Sequence, residues 1–125
     1  MAQSLGSILV IDDDPDVRLS LTSTLEEEGF AVMSAAHGLD ALELLRSRGG
    51  AVNLVLLDLM MPVMNGFQFR RKQREDPALA SIPVLLLSGG NYIAEAAAVI
   101  DAAGYVRKPV DLHDLLAVVE RTRRR

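Results

Sequence analysis

The chain has 125 residues, which is room for one domain and not comfortably for two, and it has no cysteine. Disulfide frameworks, thiolate zinc sites and cysteine nucleophiles are thereby excluded. A formal net charge of -4 argues against a general nucleic-acid surface, because phosphate binding needs a basic footprint. No apolar run approaches the ~18 residues of a membrane span, and polar Met1 to Ser7, free of Lys and Arg, does not read as a signal peptide. The expectation is one soluble, cytoplasmic domain over residues 1–125, with a core at about 7–121 and an arginine-rich tail at 121–125.

Ile8-Leu9-Val10-Ile11 reads as a first strand that runs straight into Asp12-Asp13-Asp14-Pro15-Asp16, four carboxylates within five positions. Asp14, Pro15 and Asp16 suit a helix start. Asp12 and Asp13 are left over at the strand's carboxyl end, where like charges need a compensating cation. Val17, Leu21 and Leu25 recur every four residues, and Glu26-Glu27-Glu28-Gly29 stops that helix at a glycine. Phe30 to Met33 reads as a second strand. Ala41, Leu42 and Leu45 mark a second helix, ended by Arg46, Arg48 and Gly49-Gly50.

Val52 to Leu57 is a third strand ending on Asp58, and Gly66 to Arg74 a third helix capped by Asn65 and closed by Asp76-Pro77. Val84 to Leu87 is a fourth strand ending on Ser88. Ala94 to Ala103 reads as an alanine-rich fourth helix, and Tyr105-Val106-Arg107 as a short fifth strand ending on Lys108. Asp111 and Asp114 open the last helix, whose apolar face is Leu112, Leu115, Leu116 and Val119. The pattern is α/β, a (βα)₅ chain with no internal linker.

Unbroken apolar strands are buried on both faces, so Ile8–Ile11, Val52–Leu57 and Val84–Leu87 are interior, and strands two and five are edges. Right-handed crossovers then give a doubly wound parallel sheet of order 2-1-3-4-5, flavodoxin-like, with its ligand crevice between strands one and three. Asp12, Asp13 and Asp58 meet there, and Ser88 and Lys108 line the same rim.

At these residues the sequence resembles the receiver domain of two-component response regulators, chemotaxis regulators included. The carriers are Ile11-Asp12-Asp13, Leu57-Asp58 followed by Met61-Pro62-Val63-Met64-Asn65-Gly66, the strand-ending Ser88, and Lys108-Pro109, all in order. The resemblance implies that Asp58 accepts a phosphoryl group from the phosphohistidine of a histidine kinase or histidine phosphotransfer protein. It implies that Mg²⁺ is held by Asp12, Asp13, Asp58 and the Met60 main-chain carbonyl, and that the Lys108-Pro109 bond is cis. Ser88 and Tyr105 would be the switch pair, and the fourth helix, fifth strand and fifth helix the readout face. Such a domain promotes its own phosphotransfer and dephosphorylation and is not otherwise an enzyme; direct DNA binding is not expected.

The chemistry agrees. A phosphoryl group arriving among three carboxylates needs a divalent cation, and Mg²⁺ accepts few protein oxygens while keeping its waters. Lys108 supplies a fixed positive charge, and the Ser88 hydroxyl can donate to a phosphate oxygen. Taken singly, Asp58 would be a strand cap, Ser88 a turn residue, Lys108 a surface lysine and Tyr105 an edge tyrosine with a wet hydroxyl. Met60, Met61 and Met64 read as loop packing, and His37 and His113 as exposed helix-start residues.

Two departures from the family pattern stand out. Ser88 to Lys108 is shorter than the norm, with Gly89-Gly90 in its loop and alanines of little packing volume around Glu95. The fourth helix is therefore expected to be short, displaced or mobile. In the third helix, Arg70 and Gln73 replace apolar core residues, leaving Phe67 and Phe69 as anchors. The simple expectation is an arginine stem snorkelling along the sheet; the sharper one is a partner or self-association surface. The tail Arg121-Thr122-Arg123-Arg124-Arg125 complements the last helix's dipole, offers a nucleic-acid patch or begins a linker.

Two other classes share parts of this pattern. A haloacid-dehalogenase-like phosphohydrolase would make Asp12 its nucleophile, but leaves Asp58 and Lys108-Pro109 unexplained. A flavodoxin-like FMN carrier shares the strand order, but the Asp triplet would repel a phosphate in the first loop.

Overall fold

The computed structural model describes residues 6–48 and 51–122. Strands and helices alternate along it as β1 (Ser7–Ile11), α1 (Pro15–Glu27), β2 (Ala31–Ala35), α2 (Gly38–Arg48), β3 (Val52–Asp58), α3 (Gly66–Glu75), β4 (Val84–Ser88), α4 (Ile93–Val99), β5 (Gly104–Arg107) and α5 (Leu112–Thr122). All strand pairs are parallel, in the expected order β2-β1-β3-β4-β5. Met1 to Leu5, the Gly49-Gly50 pair and Arg123, Arg124 and Arg125 of the tail lie outside the described residues.

Period-two alternation along the central strands divides the core between two layers. Ile8 and Val10 of β1 and Leu54 and Leu56 of β3 pack with Leu21 and Leu25 of α1 and Leu115 and Val119 of α5. Leu9, Ile11, Val55 and Leu57 face the opposite layer, with Leu42 and Leu45 of α2, Phe69 of α3 and Ile93, Ala96 and Ala97 of α4.

Helix ends follow local chemistry. The Asp14 side chain caps α1 by accepting from the Asp16 and Val17 amides, with Pro15 next to it. Gly29, at φ 103, closes the same helix: its N–H reaches the Glu26 carbonyl and that of Phe30 the Leu25 carbonyl, which requires a left-handed residue between them. Asn65 and Gln68 form a reciprocal capping box on α3, each side chain accepting from the other's amide at 2.9 Å.

Several expectations are corrected. β2 runs over Ala31–Ala35 rather than Phe30 to Met33, because Phe30 is used by the closing turn of α1 and its ring is buried in the α1/α5 layer. α4 spans Ile93–Val99, seven residues against the ten of Ala94 to Ala103, and is the shortest helix among the described residues. It stops because Asp101 takes a left-handed conformation, φ 54. Leu112 is exposed, so α5 rests on Leu115 and Val119 with Leu116 partly buried. Phe67 is also exposed, which leaves Phe69 as the apolar anchor of α3.

The most instructive correction concerns Arg70 and Gln73. Arg70 neither snorkels with its head in water nor offers a partner surface; it is 6% exposed, and Gln73 is fully buried. The Gln73 amide nitrogen donates to the carbonyls of Leu79 (3.0 Å) and Ile82 (2.9 Å), and its oxygen accepts from Arg70 Nη1 at 2.9 Å. It thereby satisfies the backbone of the turn that leads from α3 into β4, where an apolar side chain would leave those carbonyls dry and unpaired. Gln73→Leu is expected to lower unfolding free energy by about 2–3 kcal/mol, read as a lower urea midpoint with unchanged slope.

Candidate functional site

Parallel strands carry all their carboxyl ends to one edge of the sheet, so residues remote in sequence converge there. Asp12 and Asp13 follow β1, Asp58 ends β3, Ser88 ends β4 and Lys108 follows β5. Register aligns them: Ile11 lies opposite Leu57, Asp58 opposite Leu87 and Ser88 opposite Arg107. The structure brings these expected residues to one cleft of about 730 Å³, which continues past Met60, Phe67 and Tyr92 to Val99 on α4.

Asp12 is fully buried. Its Oδ1 accepts from the Asp14 amide at 2.9 Å and its Oδ2 from Lys108 Nζ at 2.8 Å. The same ammonium stands 3.3 Å from Asp58 Oδ1. Asp13 is exposed, and one carboxylate oxygen each from Asp12, Asp13 and Asp58 lie within 4.8 Å of one another. That is a set of hard oxygen donors of the kind divalent Mg²⁺ or Ca²⁺ takes.

Asp58 is 5% exposed, and burial pushes its carboxyl up from 3.8 to about 6. The Asp12 charge adds to this, while the Lys108 charge and hydrogen bond pull the other way. Burial alone would lower Lys108, but its hydrogen bond to Asp12 and the charge of Asp58 outweigh that, and it is raised. One lysine thus answers two buried carboxylates and leaves the site short of positive charge.

The loops shape the rest. The β3–α3 connection makes a three-residue turn at Val63, with the Met64 amide on the Pro62 carbonyl at 2.7 Å and φ 69 at a β-branched residue, a strained conformation. Gly66 then folds back on the strand end, its N–H on the Leu59 carbonyl at 2.8 Å. A Cβ at residue 66 would stand 2.9 Å from the Asp58 carbonyl oxygen, so only glycine permits this approach. Ser88 Oγ accepts from the Gly90 amide at 3.3 Å, and the Lys108–Pro109 bond is cis.

Other expected residues sit apart. Tyr105 is 43% exposed on the edge strand and does not line the cleft. Met60 is highly exposed on the cleft wall rather than packed in the loop, whereas Met61 is buried. His37 pairs with Asp40 at 3.4 Å, and His113 is exposed. Two arginines at the site were not foreseen: Arg18 Nη1 donates to the Asp12 carbonyl at 2.7 Å, and Arg107 Nη1 to the Gly90 carbonyl at 2.9 Å. Arg18 lies one turn after the Asp14 cap, a spacing that points back at the loop; Arg107 had only its place before Lys108 as a signal.

Residues 8–120 match the family model described as the response regulator receiver domain. The chain belongs to that family. This receiver is 38% identical over 118 residues to the response regulator Rre1 of Synechocystis, covering 90% of this chain and 49% of that protein. It is 32% identical over 117 residues to the protein PilH of Pseudomonas aeruginosa, covering 92% and 95%. Among solved structures, the chemotaxis protein CheY4 of Vibrio cholerae matches with a TM-score of 0.85 at 27% identity, covering 94% of this chain and 98% of that one. The receiver thus spans about half of Rre1 and nearly all of PilH and CheY4.

Receivers are signalling modules, and that membership disfavours both the phosphohydrolase and the flavin-carrier readings. Against the phosphohydrolase reading, the Asp12 carboxylate is fully buried and ion-paired to Lys108 at 2.8 Å. Because the folded-state value of Asp58 lies above its ordinary one, stability contributed by its protonated form is full below about pH 4 and lost as pH rises through about 6. Asp58→Asn is therefore expected to stabilise the metal-free receiver at pH 7, by on the order of 1–3 kcal/mol. Denaturant titrations from pH 4 to 8 should show the gain vanishing at the acid end.

Proposed function

We propose that Asp58 is the phosphoacceptor of this receiver, taking the group from the phosphohistidine of a histidine kinase or histidine phosphotransfer protein. The observation that carries the reading is the shared lysine: one ammonium within reach of Asp12 and Asp58, with Asp13 beside them. A carboxylate oxygen of Asp58 attacks phosphorus, the bond from phosphorus to the donor's imidazole nitrogen breaks, and the imidazole leaves with the electron pair. The product is an acyl phosphate on Asp58.

The donor set fits Mg²⁺, since the buried acids outnumber the cation that answers them and all the facing donors are oxygens. Asp12, Asp13, Asp58 and the Met60 carbonyl would hold it. Bound there, it supplies charge neutralisation between incoming phosphate and carboxylate. Lys108 anchors Asp12 and holds the carboxylate of Asp58 through its Oδ1, and Arg18 steadies the Asp12 backbone. Ser88 donates its hydroxyl to a phosphate oxygen after phosphorylation, while still accepting from Gly90. The added charge of roughly -1.5 to -2 then biases the Ser88 loop, and Tyr105 with it, on the face formed by α4, β5 and α5.

The partner supplies the specificity, and the output lies in a protein or segment that reads this face. A relative such as RpaA of Synechocystis, 34% identical over 120 residues and described as a DNA-binding transcriptional regulator, is matched over 49% of its length. No DNA-binding role is assigned to the receiver itself, whose net charge is -4. A cytoplasmic location suits a receiver in which, among the described residues, no helix is long and apolar enough to cross a membrane.

Incubation with Mg²⁺ and acetyl phosphate is expected to add one phosphoryl group by intact mass, lost in Asp58→Asn and impaired in Asp12→Asn. Labelling that survives Asp58→Asn would refute the assignment, and no label in any protein would mark a receiver that acts by binding alone. Mg²⁺ at about ten times its dissociation constant is expected to stabilise the protein by about 1.4 kcal/mol. Calorimetry should show that as a melting-temperature rise of a few degrees, abolished by chelation and by Asp13→Asn.

A further inference from the structure

Arg70 is a buried cation that phosphoryl transfer leaves unused, and all its hydrogen bonds lead away from the cleft. Its Nε donates to the Ile100 carbonyl at 2.8 Å, its Nη2 to the Asp101 carbonyl at 2.9 Å and its Nη1 to Gln73. Ile100 and Asp101 are the residues on which α4 ends. The helix closes itself as far as it can, with the Asp101 amide on Ala98 and the Ala102 amide on Ala97 across the left-handed Asp101. The two carbonyls beyond that closure go to the guanidinium, a planar fork at the negative end of the helix dipole. Through Gln73 the same fork is tied to the turn before β4.

The amino end of α4 is held quite differently. Tyr92 occupies the cap position and offers no side-chain hydrogen bond. The loop before it contains Gly89 and Gly90, fixed by the long Ser88 contact and by an exposed bond from Arg107. Alanine at residues 94, 96, 97 and 98 gives the helix little side-chain volume with which to lock itself in place. Freeing the carboxyl end would strand a buried guanidinium and two carbonyls; freeing the amino end costs part of the burial of Ile93 but strands no polar group, since the loop's backbone can turn to water.

We infer that Arg70 is a positioning residue that pins the carboxyl end of α4 to α3, so that α4 pivots about Ile100 and Asp101 and phosphorylation is read at its amino end. The inference rests on the Asp58 reading for its trigger, though not for the pin itself. Tyr92 and Glu95, which border the cleft, ride on the end that moves. Gln73 holds the turn before β4 in place, so displacement is confined to the loop and first turn of α4, from Gly89 to Ala96.

Residue-resolved amide exchange on the full chain tests this, with and without Mg²⁺ and acetyl phosphate. In the unphosphorylated protein, Arg70→Met is expected to speed exchange at Ile100, Asp101 and Ala102 by about tenfold or more, with Arg70→Lys between it and wild type. Unchanged rates there would overturn the pin. In wild type, phosphorylation is expected to alter exchange at Gly90 and Ala96 while Asp101 and Ala102 stay within about twofold of their resting rates. Equal changes at both ends would overturn the pivot, even if Arg70→Met does not fold. A missing phosphoryl mass shift would count against Asp58 instead, and leaves the resting-state comparison to decide the pin.

Discussion

The arrangement depends on a single ammonium group set between two buried carboxylates. Lys108 reaches Asp12 from β1 and Asp58 from β3 while itself following β5, so it ties three strands at one end of the sheet. Without it, Asp12 would be a dry, unanswered charge beneath a second one, an arrangement proteins avoid by neutralising the group or unfolding. With it, compensation is incomplete, and one ammonium is left to balance two buried carboxylates with a third acid beside them. Structural necessity and the chemistry proposed for the cleft thus share one side chain. A charge change at Asp58 is consequently a mechanical event, because the lysine that feels it is anchored on the edge strand's side of the sheet.

Much of this was legible in the chain. The three interior strands are apolar runs, that of β3 broken only by Asn53, and each leads into a polar residue at the carboxyl edge: Asp12, Asp58 and Ser88. Parallel topology turns that pattern into a site. Less legible was whatever depends on backbone carbonyls far away in sequence. Arg70 and Gln73 looked like intrusions into a core because their acceptors, the carbonyls of Ile100, Asp101, Leu79 and Ile82, leave no mark in side-chain identity. Arg18 and Arg107 escaped for the same reason, as each donates to a carbonyl rather than to an acid. The β2 boundary was misplaced because Phe30 has the composition of a strand and the duty of a helix stop.

The third helix therefore carries two kinds of order. At its start Gly66 packs against the Asp58 carbonyl, so the helix and the acidic strand end cannot move independently. Further along, Arg70 and Gln73 bind neighbouring segments through charge-assisted and amide hydrogen bonds where apolar packing would be the simpler solution. Polar networks of this kind are intolerant of small displacements, since each bond has a direction. Apolar contacts would let neighbouring helices slide; this network holds α3 and the end of α4 in one register.

The sheet's polarity has a practical side as well. The cleft lies at the carboxyl edge, while Gly6 precedes β1 at the opposite edge, and Thr122 lies beside Gly104, where β5 begins. Both ends of the described chain thus emerge on the side away from Asp58. A fluorophore, a surface tether or a fused protein attached beside Gly6 or Thr122 would leave the crevice open. Held from the side where Gly6 and Thr122 lie, the receiver keeps its acid edge facing outward.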